Sequence, residues 1–166
     1  MNTPDASIEQ RLALIETLFE KSDFSAVLQI CNDIIELDDG HFEAHSERAR
    51  ANQRLGRLGD AMSDLQVLID LRPDSPTAYL RRAALNMELG HDALAVMDLS
   101  RVVELGDGYY LSTAHFYRAI AYHNIGDKEA SRRDATLLPN DFRFFVKTKD
   151  HGTRQLSRQE VLDLAS

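Results

Sequence analysis

The residues of this chain that chemistry would first recruit are six histidines, a single cysteine and a few acidic clusters. His41 and His45 are four apart, so a helix would place them on one face, and with Glu43 or Glu47 beside them they would suit a divalent metal ion. His41 falls at a turn, however, and solvated polar side chains are the simpler reading. The segment LDDGH sets acids beside a glycine as a calcium loop does, but it lacks the later spaced ligands and reads as a helix-ending turn. An enzyme would need His115, His123, Asp141 or His151 to converge. No P-loop, G-x-G-x-x-G, H-E-x-x-H or G-x-S-x-G motif supports one. One cysteine, Cys31, excludes both an intrachain disulfide framework and a cysteine-rich zinc site. No cofactor and no metal are expected.

What must position these residues is a repeat of 34 residues. Four columns step by that interval: Ser22/Gly56/Gly90, Val27/Ala61/Ala95, Cys31/Leu65/Leu99 and Leu37/Leu71/Leu105. A period of this size marks stacked copies of a unit too small to bury its own apolar face. Within each period lie two amphipathic segments, such as Phe42 to Leu55 and Asp60 to Leu71, separated by a turn at Gly56. In the second, Ala61, Leu65, Leu68 and Leu71 recur at helical spacing on one face, while small Ala61 and Ala95 admit close helix approach. Pro73 and Pro76 bracket the next junction, where one helix ends and another begins with proline in its first turn. Cys31 shares its column with leucines and is expected to be a small core residue.

These residues resemble the tetratricopeptide repeat family. Tyr79, Ala83, Leu89-Gly90, Ala95 and Leu99 carry the likeness in one unit, and Ala49, Leu55-Gly56, Ala61, Leu65 and Pro73 in the one before. An earlier unit has Phe24, Val27, Cys31 and Leu37 in matching columns. A fourth, after a two-residue slip at GDGYY, has His115, Arg118-Ala119, Tyr122 and Ile125-Gly126, with a short second helix from Lys128 to Leu138. The resemblance implies an all-α fold, a helical-hairpin solenoid wound as a right-handed superhelix. The expected division is a polar tail over 1–7, repeats over 8–41, 42–75, 76–109 and 112–139, and a capping extension over 140–166.

One pattern goes beyond the family likeness. Arg48, Arg82 and Arg118 fill one first-helix column and Asp64, Asp98 and Asp134 one second-helix column, each pair 16 residues apart, while the first unit has Leu14 and Ile30 there. Charged pairs in three units and an apolar pair in the other predict that the columns touch across each hairpin, since an unpaired buried charge is costly.

The family likeness also implies that first helices line the concave face. Counting outward from the buried columns, the groove candidates are Arg50, Gln53, Arg54, Leu80, Arg81, Met87, Phe116 and His123, with Glu16, Glu20, Ser46 and Glu88 alongside. The arginines would receive a carboxylate and the apolar members a side chain. The lysines and asparagines with which some relatives hold a C-terminal carboxylate are replaced by Leu12, Glu16, Ser46, Glu47 and Arg50, so that clamp does not carry over.

Beyond Pro139, Phe142, Phe144 and Val146 alternate with Arg143, Phe145 and Lys147, which suits a strand; KDHG supplies a turn, and Ser157 with Glu160 forms a capping box before a short helix. The phenylalanines are expected to cap the last repeat, with an association surface as the alternative. A formal charge of −8 disfavours nucleic acid, and no long apolar run points to a membrane. The reading is a cytoplasmic, noncatalytic protein- or peptide-binding scaffold or adaptor, chaperone-, immunity- or secretion-associated in its narrower form. A homo-oligomeric module associating through repeat ends or the phenylalanine-rich tail is the rival.

Overall fold

A computed structural model of the chain describes residues 4–147 and 153–164. Helices come in order as α1 (Pro4–Glu20), α2 (Phe24–Leu37), α3 (Phe42–Arg54), α4 (Leu58–Leu71), α5 (Pro76–Glu88), α6 (Asp92–Leu105), α7 (Gly108–Asn124) and α8 (Lys128–Leu137). A hairpin of β1 (Arg143–Lys147) and β2 (Thr153–Ser157) and a last helix, α9 (Arg158–Leu164), follow. The chain divides into two compact units, Met1–Ala78 and Tyr79–Ser166.

The period has a backbone cause. Ser22, Gly56, Gly90 and Gly126 follow α1, α3, α5 and α7, and each has positive φ, from 57° at Ser22 to 85° at Gly126. This left-handed residue ends a first helix and turns the chain into the second, a conformation that favours glycine. Two second helices, α2 and α8, then start from side-chain-capped ends. Asp23 accepts from the Ala26 amide at 3.1 Å and Asp127 from the Ala130 amide at 3.0 Å.

In the first unit, α2 buries Val27, Cys31 and Ile34, and α4 buries Ala61, Leu65 and Leu68, one turn apart in each case. Val27 and Cys31 join Ile15 and Phe19 of α1 and Ala51 of α3 in a single cluster. Burial pushes the Cys31 thiol up to about 12, so it serves as a small core residue rather than a nucleophile.

In the second unit, α7, α8 and the C-terminal elements share a cluster of Phe116, Ala119, Ala135, Leu138, Leu156 and Val161, against which Phe142 and Phe144 pack. Phe144 stands opposite Leu156 in the antiparallel hairpin, and its ring centroid lies 4.5 Å from that of Phe116. Phe145, on the other face of β1, is exposed. From Phe142 to Phe145 the strand alternation read from the sequence is therefore the one observed, and the hairpin covers the apolar side of the last helical pair. The capping box also forms: the Ser157 amide donates to Glu160 Oε2 at 2.9 Å. Hydrogen bonds from the Ser157 amide and from Arg154 hold the Glu160 carboxyl down at about 2. The KDHG turn lies outside the described residues.

Two boundaries differ from the sequence reading. Helix α1 starts at Pro4, so the segment assigned as a tail over 1–7 is helical from its fourth residue; proline is tolerated in a first turn, where its missing N–H has no intrahelical acceptor. Helix α7 starts at Gly108 rather than near Ser112, because Asp107 caps it by accepting from the Tyr109 amide at 3.0 Å. The slip at GDGYY is absorbed by lengthening: α7 has 17 residues where α5 has 13, and the linker before it has shortened.

Candidate functional site

The paired charged columns meet across each hairpin. Arg48 donates to Asp64 through Nε at 3.0 Å and Nη2 at 2.7 Å; Arg82 donates to Asp98 through Nε at 3.0 Å and again through Nη2; Arg118 donates to Asp134 through Nε at 2.7 Å and Nη2 at 2.8 Å. The three aspartates are buried and the arginines half-buried. Each guanidinium thus presents its planar fork to a buried carboxylate and offsets much of the cost of desolvating it.

The arginines also reach backwards. Arg48 Nη1 donates to Asn32 on α2 at 2.8 Å, and Arg118 Nη1 to Ser100 on α6 at 3.0 Å. Arg48 therefore ties together α2, α3 and α4, and Arg118 ties α6, α7 and α8. These contacts give both arginines a structural role.

A histidine completes two of the networks. His45 Nδ1 lies 2.8 Å from Asp64 Oδ1 while its Nε2 lies 2.9 Å from the Asp39 carbonyl, and His115 Nδ1 lies 2.9 Å from Asp134 Oδ1. The sequence reading missed His45 in this role. The signal was available, because His45, Tyr79 and His115 each precede the paired aspartate by 19 residues. Of the residues an enzyme would have to bring together, His115 is engaged by Asp134, Asp141 is exposed, and His151 lies outside the described residues. His41 instead caps α3, its Nδ1 accepting from the Ala44 amide at 3.3 Å. No group of three or more metal-ligating side chains occurs among the described residues.

The groove candidates fall in both units. In the first, Glu16, Phe19, Glu20, Phe24, Arg50 and Arg54 line a cavity of about 200 Å³ bounded by α1, α3 and the start of α2. Arg50 is already engaged. It donates to Glu16 at 2.9 Å and Glu47 at 3.2 Å, and its guanidinium lies 3.7 Å from the Phe19 ring centroid. The hydrogen bond from Arg50 lowers the Glu16 carboxyl below its ordinary value. Glu16 and Arg50 are 34 residues apart, so this bridge between successive first helices was also readable from the period. Arg54 is exposed at the cavity edge and Gln53 half-buried; Ser46 is buried.

In the second unit, Arg81 is exposed and Leu80 and Met87 are half-buried on α5, with His123 half-buried on α7. Phe116 is not a surface residue. It is fully buried, because Phe142 and Phe144 of the tail cover it, and it belongs to the core.

No family model matches the sequence. Over 63 residues, 38% of this chain, it is 38% identical to DnaJ homolog subfamily C member 3 of Rattus norvegicus, and that match spans only 12% of the relative's length. A tetratricopeptide repeat protein from Parabacteroides merdae superposes with a TM-score of 0.71 over 78% of this chain and 51% of that one, at 16% identity. The first TPR of Spaghetti (RPAP3), bound to HSP90 peptide SRMEEVD, superposes with a TM-score of 0.61 over 70% of this chain and 94% of that one, at 21% identity.

Proposed function

The chain has the tetratricopeptide-repeat fold, and from that premise we propose that it is a noncatalytic scaffold or adaptor that binds a protein or peptide through the first-helix faces of its repeats. The observation that carries this reading is the cavity beside α1 and α3, where the apolar rings of Phe19 and Phe24 lie next to the charged ends of Glu20 and Arg54. An apolar floor with polar walls suits an extended segment that inserts a side chain and hydrogen-bonds at the rim. The peptide held by the RPAP3 repeat domain supports the same mode of use.

The chemistry of the ligand differs from that of SRMEEVD. Around Arg50 stand Glu16, Glu20 and Glu47, so an acidic peptide would meet carboxylates and would have to displace Glu16. A neutral or basic segment suits this surface better. The likeness to a DnaJ homolog supports the chaperone-associated version of the adaptor role over the immunity- or secretion-associated ones. A cytoplasmic setting belongs to the same proposal. Among the described residues no helix is long and apolar enough to cross a membrane.

The test is an affinity pull-down from the source cytoplasm that compares the wild-type chain with Arg54→Glu, Arg81→Glu, helicity being verified as unchanged. Loss of a partner from the variant alone supports the reading. Equal recovery by both moves the site off the first helices, and an empty result with concentration-dependent mass favours self-association.

A further inference from the structure

A second cleft lies in the first unit, away from Arg50 and Arg54. It is formed where the start of α1, the end of α2 and the start of α3 come together, and its volume is about 620 Å³. Its apolar lining is Ile8, Leu12 and Leu37, and its charged lining is Glu9, Asp38 and Glu43. Leu37 closes the apolar face of α2 by its spacing but is 68% exposed, so an aliphatic side chain stands at the mouth of the cleft with none of the described residues folded over it.

The acids among the lining residues are Glu9, Asp38 and Glu43, and neither lysine nor arginine is among that lining. Asp38 accepts from the Gly40 amide, and Glu43 has Arg72 at 3.8 Å, a long contact from a side chain whose guanidinium is stacked on the Phe42 ring. His41, also in the lining, spends its Nδ1 on the helix cap. Three carboxylates therefore surround an aliphatic floor, on a chain whose net charge is −8. An anionic or neutral polar ligand gains nothing from this combination. The ligand that satisfies both parts is an apolar side chain carried between cations.

We propose that this cleft docks a leucine or isoleucine of a partner segment that carries lysine or arginine on both sides. The proposal rests on the reading of the chain as a peptide-binding scaffold and adds to it a separate site with a stated partner chemistry. The aliphatic side chain enters between Ile8, Leu12 and Leu37, and the flanking cations lie against Glu9, Asp38 and Glu43.

The test uses a short fluorescein-labelled peptide with one central leucine and two lysines on each side, titrated by anisotropy against the full chain. Replacing the peptide's leucine by serine is expected to weaken binding about tenfold, which matches the burial of one leucine side chain. On the protein, Leu37→Ser is expected to weaken binding several-fold and Glu9→Lys, Glu43→Lys to abolish it. Glu129→Lys, an exposed change on α8, keeps wild-type affinity and controls for bulk charge. All four positions carry exposed side chains, so the variants are expected to keep the wild-type melting curve. Failure of the wild type to bind, indifference to either leucine, or an equal loss with Glu129→Lys overturns the proposal. The Arg54→Glu, Arg81→Glu variant is expected to bind this peptide as wild type does. If the peptide fails while that variant still loses its cellular partner, the scaffold reading stands without this cleft.

Discussion

Arg118 holds Asp134 with two parallel hydrogen bonds, Nε to Oδ2 at 2.7 Å and Nη2 to Oδ1 at 2.8 Å, and the carboxylate is buried beneath them. Burial pushes this carboxyl up, but the hydrogen bonds from Arg118 and then His115 outweigh it, and the group sits below its ordinary value of 3.8. A carboxylate lowered by folding contributes stability that is complete above its unfolded-state value and is lost as pH falls through the folded one. Urea midpoints measured from pH 6 down to about pH 2 should therefore drop more steeply for wild type than for Asp134→Asn. The variant should be the less stable of the two at pH 6.

Arg82 and Asp98 allow the pairing to be measured by mutation. Asp98→Ala leaves a half-buried guanidinium without its carboxylate and is expected to cost about 3–5 kcal/mol, whereas apolar replacement of both residues should cost clearly less. Urea unfolding of the two single variants and the double variant checks this. Additive losses would contradict the pairing.

The turn column gives a test that involves no side-chain contact. A Cβ at Gly56 or Gly90 would meet nothing within 4 Å, yet both residues have φ above 70°. Gly56→Ala and Gly90→Ala should each destabilise by about 1 kcal/mol through backbone conformation alone. Ser22 carries the same strain at φ 57°, so Ser22→Gly should raise the melting temperature.

The tail distinguishes its own two faces. Phe144→Ala removes a ring from the Phe116 cluster and should cost about 2–4 kcal/mol, near the lower end for a buried aromatic because Phe144 is half-buried. Phe145→Ala, on the exposed face, should change the melting curve little. Thermal denaturation of both variants measures the difference.

What the sequence showed and what it hid have physical reasons. The Arg and Asp columns were legible because a charge recurring at a fixed period must recur in a fixed environment. His45 was missed although its 19-residue spacing to Asp64 recurs at His115 and Asp134, because Tyr79 interrupts the column. Phe116 was misplaced because counting outward from the repeat assigns it to a first-helix surface, whereas Phe142 and Phe144 return from a segment without periodicity to bury it. Arg50 was seen as a ligand for carboxylates, and it is one, but the carboxylates belong to Glu16 and Glu47. The cleft of Ile8, Leu12 and Leu37 left no trace in the pattern, because it joins the ends of three helices rather than one face.

The central claim, that first-helix faces carry the ligand, is tested most directly by site-specific photocrosslinking. A benzophenone amino acid is placed at Arg54 or Arg81 on first helices and, in parallel, at Met97 or Arg133 on second helices, all four being exposed. Irradiated in source-cell extract, the first pair is predicted to give a discrete adduct with one partner and the second pair none. Adducts formed only from Met97 or Arg133 would contradict the account.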